Sequence, residues 1–371
     1  SLHDALPISI SSPSHFTRDR FTWSAYVLLG FYAYIQASLG PIMPFVSKDL
    51  SLNYTVTGLH FTAFAAGMVI AGFTGATASH RFGRWRVFWG GGIGMCIGSI
   101  LFMTAPIAPL TILGTFVMGF IGTYLLVMIQ STLADHYPDQ SYISLTEANI
   151  VASIFAALAP IVVGFGATMF TTWRLSQILG IGLLIIVFAL SYRTRLPVPL
   201  SPPDNTQPDG KLPRVFWLYA LMIFFSVSLE WCIIFWSADF LDKVIQLPTE
   251  QASTISGVFL FAMVIGRLSG SRLTHYYKPR HLLWVAIALI AIGFPMFWLG
   301  EVNAINIIGL GIIGLGVSNL FPLLLAIASR VGKQASDLAS SRVSMSAGLA
   351  ILILPQVLGS TADVVGIFNA L

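Results

Sequence analysis

Hydrophobic positions along this chain come in long unbroken runs, separated by short polar breaks. The stretches 87–104 and 305–329 contain no charged residue at all. β-Barrel strands would be shorter and would alternate apolar with polar positions, and these runs do neither. A helix needs about 20 apolar residues to cross a hydrocarbon core roughly 30 Å thick. Eleven such helices are predicted, near 22–46, 56–79, 87–105, 108–132, 146–170, 174–192, 215–238, 254–274, 281–299, 303–328 and 339–360. The expected fold class is therefore an all-α polytopic membrane protein. Residues 1–20 are polar and carry no apolar core, so no cleavable signal is expected ahead of the first span. The longest polar break, 193–213, is rich in Pro, Asp and basic residues and reads as a solvated linker.

Composition supports this pattern. Of 371 residues, 56% are hydrophobic and only 9% charged, against about 25% charged in soluble domains. The two cysteines both fall inside spans, so no disulfide framework is indicated. The basic residues cluster in alternate loops, with Arg81, Arg84 and Arg86 in one, Arg193, Arg195, Lys211 and Arg214 in another, and Arg272, Lys278 and Arg280 in a third. Lys and Arg collect on the cytoplasmic side, so the N-terminus is expected there and the protein in the plasma or inner membrane. The net charge of +4 then reflects topology, and no nucleic-acid partner is expected.

The chain also repeats itself. At an offset of 195 residues Lys48 meets Lys243, His80 meets His275, Trp89 meets Trp284, Phe102 meets Phe297 and Pro160 meets Pro355, with no gap between 45 and 164. Matched Trp, Lys, His and Pro at one offset point to two similarly oriented halves, the parallel-repeat plan of a transporter. The expected division is a tail at 1–20, a bundle at 21–192, a linker at 193–213 and a second bundle at 214–371.

At "ATASHRFGRWR", residues 76–86, the chain resembles the major facilitator superfamily in its bacterial form, and the resemblance extends over nearly its whole length. The family's loop between helices 2 and 3 reads Gly-x-x-x-Asp-Arg-x-Gly-Arg-Arg/Lys. Arg81, Gly83 and Arg84 match it, while Ala76, His80 and Trp85 depart from it. The resemblance implies that His80, Arg81, Gly83 and Arg84 form a gating loop. Because His80 is no permanent anion, Glu147 at the start of helix 5 is expected to supply the missing carboxylate. The family's helix 4 Arg is absent, since Thr115 stands four residues before Gly119. Its helix 5 antiporter signature is half kept, as "APIVVG" with Pro160 and Gly164. The family plan has twelve helices, and residues 360–371 are too short and polar for another span, so the chain is expected to lack helix 12.

Ionised side chains are costly at a helix centre, about 2.5–3.5 kcal/mol on insertion scales, and need a reason to be there. Glu230 is the acid read as deep in a span. It is the candidate proton-coupling residue, or else a structural carboxyl bonded to a neighbouring helix. Arg267 either pairs with an acid across the bundle or snorkels to the interface. Helices 1, 4, 7 and 10 line the cavity in this family, which makes Tyr34, Gln36, Gln130 and Asn319 the candidate substrate contacts beside Glu230. Trp231 and Trp236 flank Glu230 and either stack on a substrate or face lipid. His60 is read as interfacial.

No H-E-x-x-H, P-loop, Cys-His metal spacing or G-x-S-x-G occurs, so an enzyme is not expected, and neither a cofactor nor a metal is called for. The expected function is a secondary transporter of a small organic solute, proton-coupled and working as a monomer. The half-kept helix 5 signature leans to efflux; sugar-type uptake, as in fucose-permease-like members, and a non-transporting membrane sensor are the alternatives.

Overall fold

The computed structural model describes residues 17–138, 140–194, 196–197, 212–273, 276–331 and 336–371. Its elements are α1 (Arg20–Leu50), α2 (Tyr54–Phe82), α3 (Arg84–Thr104), α4 (Ala108–His136), α5 (Ser141–Phe170), α6 (Arg174–Ser191), α7 (Arg214–Lys243), α8 (Thr249–Leu273), α9 (Pro279–Leu299), α10 (Asn303–Val331), α11 (Ser336–Val365) and a single turn, α12 (Ile367–Ala370). Among the described residues eleven helices are long and apolar enough to cross a membrane. Most of the expected linker, together with His275 of the repeat, lies outside the described residues.

The repeat governs the helix ends. Shifted by 195 residues, α3, α4 and α5 coincide end for end with α9, α10 and α11. Packing follows the same symmetry: α3 lies on α4 as α9 lies on α10, and α2 on α4 as α8 on α10. Two bundles result, α1–α6 and α7–α11. They meet along α1 with α7, α5 with α8, and α2 with α11.

The outer surface is apolar. Phe73, Ile185, Ile186, Phe261 and Trp284 are all largely exposed. In water such a belt would be an aggregation surface, whereas lipid is its natural solvent. The helices adhere by close packing, because lipid tails are as apolar as the side chains themselves. Gly40 is an instance: a Cβ there would collide with the Ile234 carbonyl oxygen, so glycine lets α1 lie against α7.

α1 enters from what we call the N-terminal face and ends at the far face. Contacts joining the bundles are concentrated toward the far face. Phe61 of α2 stacks on Phe235 of α7 with ring centroids 4.1 Å apart. Trp236 is fully buried, and its indole N–H donates to the Pro355 carbonyl of α11 at 3.0 Å. Lys48 of α1 pairs with Asp242 of α7 at 3.3 Å and donates to Thr249 of α8. Asp363 of α11 accepts from the Tyr54 and Thr55 backbone N–H groups, each at 2.8 Å, capping the start of α2. Among the described residues, Arg267 to Ser153 is the polar bond between bundles nearest the N-terminal face. The bundles are thus clamped together at the far face.

Two expectations change here. Trp236 is neither lipid-facing nor free to stack on a solute, because it fills the seam between α2, α7 and α11. His60 is not interfacial. It is wholly buried, with one ring nitrogen 2.9 Å from the Val56 carbonyl and the other 2.7 Å from the Thr111 hydroxyl of α4.

Candidate functional site

Between the bundles, at about half the length of the helices, lies a cavity of about 250 Å³. α1 supplies Gln36, α5 supplies Asn149 and Ser153, α7 supplies Glu230 and Trp231, and α8 supplies Arg267. Small side chains on α1 and α5, among them Ala33, Ala37 and Ala152, leave the space. Ile234, Leu260, Met263 and Val264 make an apolar wall.

Glu230 and Arg267 are the only ionisable residues among those lining the cavity. They lie on adjacent helices of one bundle. Arg267 Nη2 is 3.4 Å from Glu230 Oε1, and Arg267 Nη1 donates to Ser153 Oγ of the opposite bundle at 3.0 Å. A charge-assisted N–H···O bond closes to about 2.7–2.9 Å. The ion pair is therefore long, and a better-placed anion could replace one partner. Glu230 is largely enclosed, with 14% of its side chain exposed, while Arg267 retains 44%. Of the two readings open for Arg267, pairing across helices is the one the geometry adopts.

The other candidates divide. Gln36 and Trp231 line this cavity; the Gln36 amide N–H also reaches Met68 Sδ at 3.5 Å. Tyr34 does not. Its hydroxyl is bonded to the Ser176 carbonyl and hydroxyl at 3.1 and 2.8 Å, tying α1 to α6. Asn319 is also elsewhere, donating to the Gly266 carbonyl at 2.8 Å and so locking α10 to α8. Gln130 is exposed near the N-terminal end of the bundle, outside the cavity lining. One residue separates Tyr34 from the cavity-lining Ala33, and the cavity-lining helices are α1, α5, α7 and α8 rather than α1, α4, α7 and α10.

At the N-terminal face, Gly83 separates α2 from α3 with φ 83°, a backbone that a side chain would strain. This sharp break presents His80 and Arg81 to the surface, with the Arg81 guanidinium 5.6 Å from the centre of the Phe82 ring. Arg84 bonds Asp135 of α4 at 2.5 Å and the Pro197 carbonyl at 2.9 Å. Glu147 is not the loop's carboxylate. It accepts two bonds from Arg18, at 2.8 and 2.5 Å, and one from the Tyr26 hydroxyl at 3.1 Å. Asp135 fills the role instead, from the end of α4. The Glu147 bonds and charge raise the Arg18 pKa above its ordinary value. At Asp19 burial pushes the carboxyl upward, but the Thr22 bonds and His136 outweigh it and leave it below the usual carboxylate range.

Sequence reasoning passed over Asn149 and Ser153, whose polar side chains are commonplace in a membrane helix. It also ended the seventh span at 238, which hid Asp239 and Asp242. α7 runs on to Lys243, so both acids are helical, and Asp239 is buried with Oδ2 lacking a hydrogen-bond partner. The available signal was their spacing of three, which puts both on one helix face. Among the described residues no cluster of three or more His, Cys, Asp or Glu could hold a metal ion.

The sequence model described as Major Facilitator Superfamily matches residues 23–355. The membrane protein MosC of Rhizobium meliloti is 26% identical over 154 residues, covering 42% of this chain and 38% of MosC, so the match spans well under two thirds of that relative. An uncharacterized MFS-type transporter of Yersinia pestis is 24% identical over 341 residues, covering 88% of this chain and 85% of the relative. The hexuronate transporter of Bacillus subtilis is 25% identical over 291 residues, covering 71% of this chain and 66% of that protein. Among solved structures, a point mutant of the nucleoside transporter NupG superposes with a TM-score of 0.76 at 12% identity, covering 94% of this chain and 95% of NupG.

Proposed function

The chain belongs to the major facilitator superfamily, a family of membrane transporters and not of enzymes, and from that premise we propose that it moves a small organic solute by proton-coupled alternating access. Glu230 is the group that takes up and gives off the proton. The observation that carries this reading is its position: a carboxyl about halfway along α7, at the seam between two bundles, held by one long bond to Arg267. A carboxyl so weakly held can be neutralised without dismantling a network.

The N-terminal face is cytoplasmic in this reading, since Arg81, Arg84, Arg86, Arg272, Lys278 and Arg280 end there. The far-face clamp then makes this the inward-facing state, in the plasma membrane. Residues 21–192 and 214–371 act as the two rocking bodies, joined by 193–213. On reversal the loop of His80, Arg81, Gly83 and Arg84 latches the opposite bundle. Lipid, protons and the solute are the only partners invoked, and a monomer suffices.

Efflux rests on the helix 5 signature. Pro160 and Gly164 are both used in packing: a Cβ at Gly257 of α8 would touch Pro160 at 3.2 Å, and one at Gly164 would collide with Thr254. A signature so used in helix contact says little about direction. Relatedness to a hexuronate transporter supports a polar solute.

The test uses the full chain in right-side-out, de-energised vesicles in a lightly buffered medium. Sugars, sugar acids and amphipathic amines are added in turn. A solute that shifts the external pH in wild type and not in Glu230→Gln is the expected result, upward if it enters with a proton and downward if it enters in exchange for one. A pH shift that survives the substitution removes Glu230 from coupling.

A further inference from the structure

We propose that the solute is a small organic monoanion, and that Arg267 anchors its carboxylate in the central cavity by exchanging Glu230 for it. The proposal rests on the proton-coupling reading of Glu230 and adds to it the substrate's charge.

The argument is one of charge conservation in a low dielectric. Empty, the cavity holds one cation and one anion, Arg267 and Glu230, and its lining has no other ionisable group. The helices packed on α7 here are α1, α8, α10 and α11, and the cation facing Glu230 comes from α8. A carrier must reorient both empty and loaded, and an unpaired charge at mid-membrane depth makes either step costly. If a monoanion arrives with a proton, the proton neutralises Glu230 and the carboxylate takes its place on Arg267. The site stays neutral throughout. A neutral solute with a proton would leave Arg267 unpaired, a cation would add a second positive charge, and a dianion would leave a net negative one.

Geometry favours the same exchange. A guanidinium carries five N–H donors in a planar fork that matches a carboxylate with two parallel bonds. Arg267 directs one to Ser153 and one to a 3.4 Å contact with Glu230. The Ser153 bond comes from the opposite bundle and fixes the fork in the cavity while leaving donors free. A carboxylate closing to normal distance on both would outcompete Glu230. On the same two helices as the charges, Trp231, Ile234, Leu260 and Met263 offer an apolar surface for the body of the solute, and Gln36 and Asn149 of the other bundle offer amides. At about 250 Å³ the space suits a metabolite rather than a drug-sized compound, whose pockets run from about 300 Å³ upward.

The experiment uses the full chain in liposomes, acid outside, with protein-free liposomes as the blank. Uptake is measured for pairs that share a ring and differ in charge: glucuronate against glucose, and nicotinate against nicotinamide, with tetraethylammonium as the cation. A carboxylate member is expected to accumulate and the neutral and cationic compounds not. Arg267→Gln should lower carboxylate uptake by about tenfold or more, as loss of charge-assisted bonds implies. Arg267→Lys and Ser153→Ala should fall between, which guards against a misfolded variant. Glu230→Gln should still be thermally stabilised by the carboxylate but lose accumulation driven by the gradient. The proposal is overturned if a neutral or cationic member is taken up as well as its partner. It is equally overturned if Arg267→Gln keeps uptake at the wild-type level, or if no carboxylate enters. If Glu230→Gln still accumulates the carboxylate against its gradient, coupling at Glu230 fails while Arg267 stands as the anchor.

Discussion

α4 and α10 begin and end at equivalent positions of the two repeats, and so do α5 and α11, yet the two bundles handle charge differently. In the first bundle the ion pairs lie mainly at the N-terminal face: Arg18 with Glu147, Arg84 with Asp135, His136 with Asp19. Each ties a segment end to its own bundle. The second bundle adds one ion pair in the central cavity, Glu230 with Arg267, and the buried Asp239 lies with Asp242 toward the far end of α7. Ile35 occupies the position of α1 equivalent to Glu230, and it is buried and inert. Duplication supplies a scaffold, and divergence of a few residues on one copy supplies a polar site between the copies. Substitutions that break the first bundle's own ion pairs should therefore act mainly on stability, and those at Glu230 and Arg267 on transport.

The largest test is at the seam where the bundles share a residue. Trp236→Ala empties a space bounded by Phe61, Tyr54 and α11 and leaves the Pro355 carbonyl without its donor. Truncations of this kind cost about 3–5 kcal/mol. Thermal unfolding in detergent should show the loss, and a thiol placed at the far face should become more reactive as the clamp loosens. An unchanged melting temperature would mean that the bundles are not held together there.

Next comes Arg84→Gln, which strands Asp135 in a half-buried setting. Loss of that bond should cost about 1–3 kcal/mol and lower the melting temperature, with solute affinity unchanged. Glu230→Gln should do the reverse, abolishing driven uptake while moving the melting temperature less than Arg84→Gln does, because the Arg267 contact it removes is long and Arg267 is partly exposed. If both variants lost the same property, the contrast between the bundles would collapse. Asp239→Asn follows. Its carboxylate is buried with one oxygen unpartnered beside Asp242, a costly arrangement. The amide should stabilise the fold by about 1 kcal/mol, read as a higher melting temperature; an unchanged or lower one would mean that the buried carboxyl is not a strained site.

Much of the architecture was readable because membrane helices announce themselves: length and apolarity set the spans, and the 195-residue offset set the symmetry. The predicted third, fourth and tenth helices start or stop within a few residues of those observed. Rotation about each helix axis was not readable. Tyr34 and Gln36 sit on one helix two residues apart, which is about 200° of turn, so one faces α6 and the other the cavity. Apolar spans show no polar face to fix that rotation, since lipid and protein neighbours are both greasy. Arg267 was ambiguous for a related reason. A long side chain rooted in the N-terminal-face half of α8 can reach either the interface or a partner deeper in, and only the position of α7 beside α8 decides it.

The finest test is at Asp19, where the first bundle's charges are weakest. Asp19 caps α1, accepting from the Thr22 backbone N–H at 2.8 Å and the Thr22 hydroxyl at 2.7 Å, and its other oxygen lies 2.8 Å from His136. Its side chain is 48% exposed, so solvent screens the charge and the cap geometry carries most of the effect. Removing such a cap costs about 0.5–2 kcal/mol, and the low end applies at an exposed site. Because the folded carboxyl titrates below its ordinary range, its stabilisation is present in full above that range and is lost as pH falls through the lowered value. Asp19→Ala should thus lower the melting temperature slightly at neutral pH and not at all in strong acid. Asp19→Asn keeps an oxygen for Thr22 and loses the charge toward His136, so it should retain most of the cap while flattening that acid dependence. If either variant instead altered solute uptake at an unchanged melting temperature, a first-bundle charge would be serving transport, and the division of labour between the two copies would have to be redrawn at the N-terminal face.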